Sequence, residues 1–233
     1  PLRSQTQHGL VYNLLSLVPD FWDYNLRLWR DKLGQISLAT TTLFWGASGN
    51  LRYIVLAWSS VALGYTTTQA SSLVGVVAIG TAAGAVMASL RMKLSDAPRV
   101  MVLGIAMGLL ILVMNFINNV WLAAPFFILL GGLGGFLVVP MNALLQHRGH
   151  NLMGAGRSIA VQNFNEQACI LALGGLYALA TGLGLSAFAA IVCFGLFVAG
   201  NMWLIQRWHL HNCVAHREEV ERLMAIARQD PGH

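Results

Sequence analysis

Apolar residues in this chain are gathered into long runs separated by short polar breaks, and neither a period-2 alternation nor a soluble amphipathic stripe describes them. Six windows are long enough to cross about 30 Å of hydrocarbon as a helix: roughly residues 33 to 56, 70 to 90, 100 to 117, 120 to 146, 158 to 180 and 185 to 206. The pattern therefore predicts an all-α, polytopic membrane protein with six transmembrane helices. An even number of crossings returns both ends of the chain to one side. Strands of about ten residues with alternating polarity, which a transmembrane barrel requires, are not found.

The flanks are predicted as smaller elements. Residues 1 to 9 are polar and read as linker, and Pro19 is expected to start a short surface helix in which Trp22, Leu26, Trp29 and Leu33 share a stripe. Asp23, Arg27 and Asp31 line another stripe of that helix at i,i+4 spacing. After residue 208 a charged, amphipathic tail follows through Glu218, Val220, Arg222, Leu223 and Met224. The expected division is 1–32 linker and interfacial helix, 33–208 membrane domain, and 209–233 tail. The first residue is proline, so a longer polypeptide is expected upstream.

Composition sharpens this picture. The chain is 56% hydrophobic and only 10% charged, which suits a bilayer and not a solvated core. Its net charge of +5 would fit nucleic acid if it were clustered, but the basic residues flank apolar spans. Arg3, Arg27, Arg30, Lys32, Arg91, Lys93, Arg99, Arg148, Arg157, Arg207, Arg217, Arg222 and Arg228 all fall on one predicted side, with Arg52 alone elsewhere. By the positive-inside rule both termini face the cytoplasm. The three cysteines show no disulfide or metal spacing, and His209, His211, Cys213 and His216 lack companion ligands, so neither a metal nor a cofactor is expected. No nucleophile–base pair or phosphate loop is present, and the chain is not read as an enzyme.

Two breaks in the apolar pattern carry candidate chemistry. In the fifth window, Gln162, Asn163, Asn165, Glu166 and Gln167 form a broad polar arc. Glu166 lies nine residues beyond Arg157, about 13.5 Å along the axis, near the bilayer midplane. A lipid-facing acid at that depth costs at least ~2.5–3.5 kcal/mol, so the arc should line a water-accessible cavity, or serve as a polar clamp between helices. In the first window, Arg52 and Asn50 follow a Gly46, Ser48, Gly49 run; a guanidinium there can grip a phosphate bidentately or snorkel to the interface. Glycine pairs at Gly80/Gly84, Gly104/Gly108 and Gly131/Gly135 let helices approach closely, either as fixed packing or as a sliding interface. Pro140 is expected to kink the fourth span.

The stretches "LWRDKLGQISLATTTLFWGASGNLRYIVLAW", "QASSLVGVVAIGTAAGAVMAS" and "GRSIAVQNFNEQACILALGGLYALA" closely resemble the bacterial lysophospholipid transporter family, a branch of the major facilitator superfamily. The match covers most of residues 20 to 208 and corresponds to the second six-helix half, one 3+3 inverted repeat of a twelve-helix protein. The loop "SLRMKLSDAPR" departs from the superfamily's Gly, Asp and Arg gating motif.

The resemblance implies inward movement of lysophosphatidylethanolamine, lysophosphatidylglycerol and related lysolipids across the bacterial inner membrane. An acyltransferase with acyl-carrier-protein synthetase activity would then re-acylate them. It implies as partners the lysophospholipid, membrane lipids and an N-terminal six-helix half, without nucleic acid. A proton-coupled exporter using Glu166, and a non-transporting module that partners the acyltransferase, are the alternatives from other classes.

Overall fold

The computed structural model describes the backbone of residues 2 to 229 and the side chains from Leu15 onward; the Arg3 side chain and residues 230 to 233 of the tail lie outside the described residues. The described chain is all-α. In order the helices are α1 (Leu2–Arg30), α2 (Lys32–Ala62), α3 (Thr67–Arg91), α4 (Met101–Val113), α5 (Val120–Met153), α6 (Ala155–Gly182), α7 (Ala187–Ala215) and α8 (Arg217–Gln229). Single 3₁₀ stretches, Leu94–Val100 and Met114–Phe116, extend α4 at its two ends.

Helix starts follow local side-chain chemistry. Asp31 caps α2 by accepting from the Gly34 N–H at 2.8 Å, Asn119 caps α5 through the Trp121 N–H, and Ser186 caps α7 through the Ala189 N–H. Thr66 and Gln69 close a reciprocal capping box at the start of α3. The tight link from α5 to α6 is Gly154, at φ 86°, a left-handed conformation that suits a residue without Cβ.

Each of the six apolar windows falls on a helix. Among the described residues, four segments are long and apolar enough to cross a membrane: Thr67–Arg91, Leu94–Phe116, Val120–Met153 and Ala187–Ala215. Helices α2 and α6 have 31 and 28 residues, ample length, but they are diluted by the polar residues singled out above.

Close packing of α3 on α5 rests on the predicted glycines. A Cβ placed on Gly80 or Gly84 would strike the carbonyls of Ile128 or Gly132, and one on Gly131 or Gly135 would strike those of Val77 or Thr81. The two glycine pairs thus interlock backbone to backbone. Gly104 and Gly108 instead seat α7, against Met202 and Ala199. One apolar cluster, including Leu33, Ile36, Met141, Leu144 and Leu223, joins α2, α5 and α8 near the end of the bundle that holds the α1–α2 junction. A second, around Trp58, Phe127 and Met114, fills the opposite end, where Trp58 Nε1 donates to the Met114 carbonyl at 3.0 Å.

Three expectations change. Pro19 does not start a helix: α1 runs unbroken from Leu2, and the segment read as linker continues it. The apolar run Leu10–Val18 is rich in helix formers, so the helix continues through the proline and forgoes one backbone hydrogen bond. The packed face of α1 is also different, for Leu28 and Asn25 are buried while Trp22 remains half exposed. Finally, α7 extends seven residues past the expected boundary at 208, to Ala215, before α8 buries Val220, Leu223 and Ala227. Pro140 lies inside α5, which continues as one helix on both sides of it.

Candidate functional site

The polar arc of α6 divides into three edges, two packed on neighbouring helices and one exposed. Its inner edge turns toward α5, where the Gln162 amide donates both to Asn142 Oδ1 at 2.8 Å and to Glu166 Oε1 at 2.9 Å. One –NH₂ group carries two protons, so a single side chain bridges both acceptors. Gln162 and Glu166 are 7% and 9% exposed, which keeps the Glu166 carboxyl group off the surface. Ser158, one turn below Gln162, is held tightly against Gly149 of α5 and continues this buried edge.

A second edge binds α1. Asn165 donates to Asn25 Oδ1 at 2.7 Å and to the Val161 carbonyl at 2.8 Å, and its own Oδ1 accepts from Trp29 Nε1 at 3.2 Å. Phe164 and Phe21 meet edge to face beside it, with centroids 5.2 Å apart. Here the clamp expectation describes the geometry. The third edge, Asn163 and Gln167, is exposed.

On α2, Asn50 and Arg52 are two residues apart and so point to opposite sides of the helix. Asn50 is buried and donates to the carbonyls of Gly46 at 2.9 Å and Ile170 at 3.2 Å, tying α2 to α6. Small residues make that approach possible: Cys169 packs on Gly46 and Ile170 on Gly49. Arg52 is exposed, stacks over the Tyr53 ring at 5.0 Å, and donates to Tyr53 Oη at 3.1 Å. No acid pairs with it among the described residues.

Arg52 lines a cavity of about 410 Å³ between α2 and α3, whose other walls include Trp45, Leu51, Val55, Val77 and Ala82. The arrangement is a cation at the margin of an apolar groove. Such a groove suits a ligand with an anionic group and a hydrocarbon body.

The seven expected residues therefore do not converge on one point. Glu166 and Gln162 share the α5-facing network, Asn165 secures α1, Asn50 joins α2 to α6, Arg52 borders the α2–α3 groove, and Asn163 and Gln167 face outward. Sequence reasoning missed Asn142, although an amide interrupting the apolar run of α5 was a visible signal. It also missed the bidentate pair of Asp31 with Arg148, at 2.7 and 2.9 Å, because the two lie 117 residues apart. In the tail, Cys213 Sγ lies 3.6 Å from His209 Nε2, while His211 and His216 are exposed.

Comparison with known proteins gives a consistent family. No family model and no solved structure matches the chain. Curated relatives do: the "Lysophospholipid transporter LplT" of Escherichia coli O1:K1 / APEC and that of Escherichia coli O45:K1 (strain S88 / ExPEC) are each 37% identical over 213 residues, covering 90% of this chain and 54% of the relative. The chain spans about half the length of the curated relatives it matches. With its all-helical fold, its apolar helices and this identity along nine-tenths of its length, the chain is homologous to the bacterial LplT lysophospholipid transporters.

Proposed function

We propose that this chain forms one half of a lysophospholipid transporter of the major facilitator superfamily, with α2 to α7 as six spans in the bacterial inner membrane. In this reading α2–α4 and α5–α7 are the two triplets of an inverted repeat, and an N-terminal half completes the substrate path. The one-sided Lys/Arg distribution supports cytoplasmic termini. Head groups such as phosphoethanolamine and phosphoglycerol share a phosphate, and a single acyl chain completes the ligand. Lysolipid delivered inward would be re-acylated by an acyltransferase partner.

The observation that carries this reading is the Arg52 guanidinium, which pairs with no acid among the described residues, at the edge of an apolar cavity of about 410 Å³. Tyr53 presents the guanidinium by stacking and by one hydrogen bond, leaving other N–H donors for phosphate oxygens. The test is uptake of labelled lysophospholipid by the full-length protein. Arg52→Ala should lower uptake about tenfold or more, the loss of one charge-assisted pair, and Arg52→Lys should recover only part of it because lysine lacks the planar fork. Wild-type uptake in both variants would leave Arg52 as an interfacial anchor.

One observation favours a second reading. Glu166 accepts from Gln162 alone among the described residues and has no cationic partner there, so taking up a proton would break no ion pair. That is the behaviour of a proton-coupled exporter.

A further inference from the structure

The amide bridge between α5 and α6 leaves one donor and one acceptor unused. Oε1 of Glu166 and Oδ1 of Asn142 both accept, so the Gln162 –NH₂ must lie between them and its own carbonyl oxygen must point elsewhere. Asn142 is fixed in the same way, because its Oδ1 takes the Gln162 bond and its –NH₂ is turned away. Among the described residues nothing accepts from Asn142 Nδ2 and nothing donates to Gln162 Oε1. Neither atom is sealed in, unlike Ser158 Oγ one turn below. Asn142 is half-buried, and Ala143 and Gln146 beside it on α5 are exposed, as is Asn163 beside Gln162 on α6.

Depth and chemistry together select what meets these two atoms. Asn142 lies six residues before Arg148, about 9 Å along α5, inside a helix apolar enough to cross a membrane. Hydrocarbon offers an amide no partner at that level, so a polar ligand or water must supply one. A phosphate group brings acceptors and suits Asn142 Nδ2, but it sets oxygen against the Gln162 oxygen. An ammonium group brings donors only, which suits Gln162 and leaves Asn142 unmet. A hydroxyl carries one O–H donor and two lone pairs, and it satisfies both amides at once.

We propose that Asn142 Nδ2 and Gln162 Oε1 bind the free glycerol hydroxyl of a lysolipid, and that this contact separates a lysolipid from its diacyl parent. The inference rests on the transporter reading and deepens it, by naming the residues that recognise the group a lysolipid gains when it loses a chain. In the diacyl parent the same oxygen belongs to an ester, which has no O–H to give, so Gln162 Oε1 stays unmet. This site is distinct from the Arg52 groove. Arg52 lies twenty residues beyond Lys32, about 30 Å along α2 from the end that holds the Asp31–Arg148 pair. The two sites are therefore about 20 Å apart along the bundle, and one head group occupies them in turn.

The experiment compares 1-acyl lysophosphatidylethanolamine with its 2-deoxy analogue, in which hydrogen replaces the hydroxyl, as substrates of the full-length protein in proteoliposomes. A site that hydrogen-bonds a hydroxyl rejects the analogue lacking it, so wild-type kcat/KM should favour the natural lipid about tenfold or more. Asn142→Leu should bring that ratio to within about twofold of one. Asn142→Asp still accepts from Gln162, which keeps the α5–α6 tie, but it has no N–H; it should lower the ratio severalfold and serves if the leucine variant fails to fold. Both lipids are measured in the same vesicles, so a poorly folded fraction lowers both rates and leaves the ratio unchanged. A wild-type ratio near one, or a ratio unmoved by either substitution, overturns the assignment while uptake itself leaves the transporter reading standing. Equilibrium binding of the same two lipids to the solubilised protein separates the opposite case: discrimination in binding without any wild-type uptake keeps the hydroxyl site and removes the transporter function.

Discussion

Arg148, in the last two turns of α5, grips Asp31, the residue that caps α2: Nη2 lies 2.7 Å from Oδ1 and Nε 2.9 Å from Oδ2. Both side chains are more than nine-tenths buried, and Oδ2 also accepts from the Gly34 N–H. A single carboxylate thus starts one helix and fastens the end of another. Because the fork is planar and bidentate, it fixes the orientation of α5 against α2 as well as the distance.

Removing Arg148 leaves a buried carboxylate with only its helix-cap hydrogen bond. Arg148→Ala should destabilise the protein by about 3–5 kcal/mol, whereas Asp31→Asn with Arg148→Met, which keeps an N-cap and removes both charges, should restore most of that loss. Thermal unfolding in detergent reads both. An Arg148→Ala midpoint equal to wild type would show that the pair contributes nothing to stability.

The interlocked glycines make a graded prediction. Gly84→Ala places a methyl into the Gly132 carbonyl and should destabilise the α3–α5 contact by about 1–3 kcal/mol, the usual range for overpacking. Gly75→Ala, on the same helix but with open space at its Cβ, should be neutral or slightly stabilising, up to about 1 kcal/mol. Equal effects of the two substitutions would mean that the close approach is not rigid, as a sliding interface requires.

Orientation can be read chemically. With native cysteines removed, a membrane-impermeant maleimide applied to intact cells should label Thr67→Cys, at the Lys- and Arg-free end of α3, well above Lys93→Cys at its other end. Both positions are exposed, so accessibility within the fold does not bias the comparison. Stronger labelling at Lys93→Cys would invert the topology.

Much of this architecture was legible in the sequence because a bilayer imposes one simple rule, that about 20 apolar residues make a helix. Each of the six windows falls on a helix, and the glycine pairs mark where helices meet. The Pro19 reading failed because a proline is a local signal and the helix around it was carried by nine apolar-rich residues upstream. The site was legible as residues but not as an arrangement. A helical wheel places Asn165 beside Glu166, yet which neighbour each one meets depends on α1 and α5, and nothing local to α6 encodes that. Arg52 and Asn50, only two residues apart in the sequence, separate for the simple reason that a two-residue step turns a helix by about 200°.

Glu166 offers the most informative single substitution. Its carboxylate accepts from Gln162, and a glutamine in its place can accept the same hydrogen bond through its carbonyl oxygen with nearly the same shape. Glu166→Gln therefore leaves the Gln162–Asn142 bridge intact and removes only the ionisable group. If that group attracts a substrate amine, uptake of lysophosphatidylethanolamine by the full-length protein should fall about tenfold, a difference of about 1.4 kcal/mol, while that of lysophosphatidylglycerol, which has no amine, changes less than about twofold. If it carries a coupled proton, both substrates should fail together and the pH dependence of transport should disappear. A helix clamp needs only the hydrogen bond, so in that case both lysolipids would enter at wild-type rates. Initial uptake rates for the two lipids across pH, normalised to membrane expression, separate these outcomes, and unchanged rates for both would remove Glu166 from the transport mechanism.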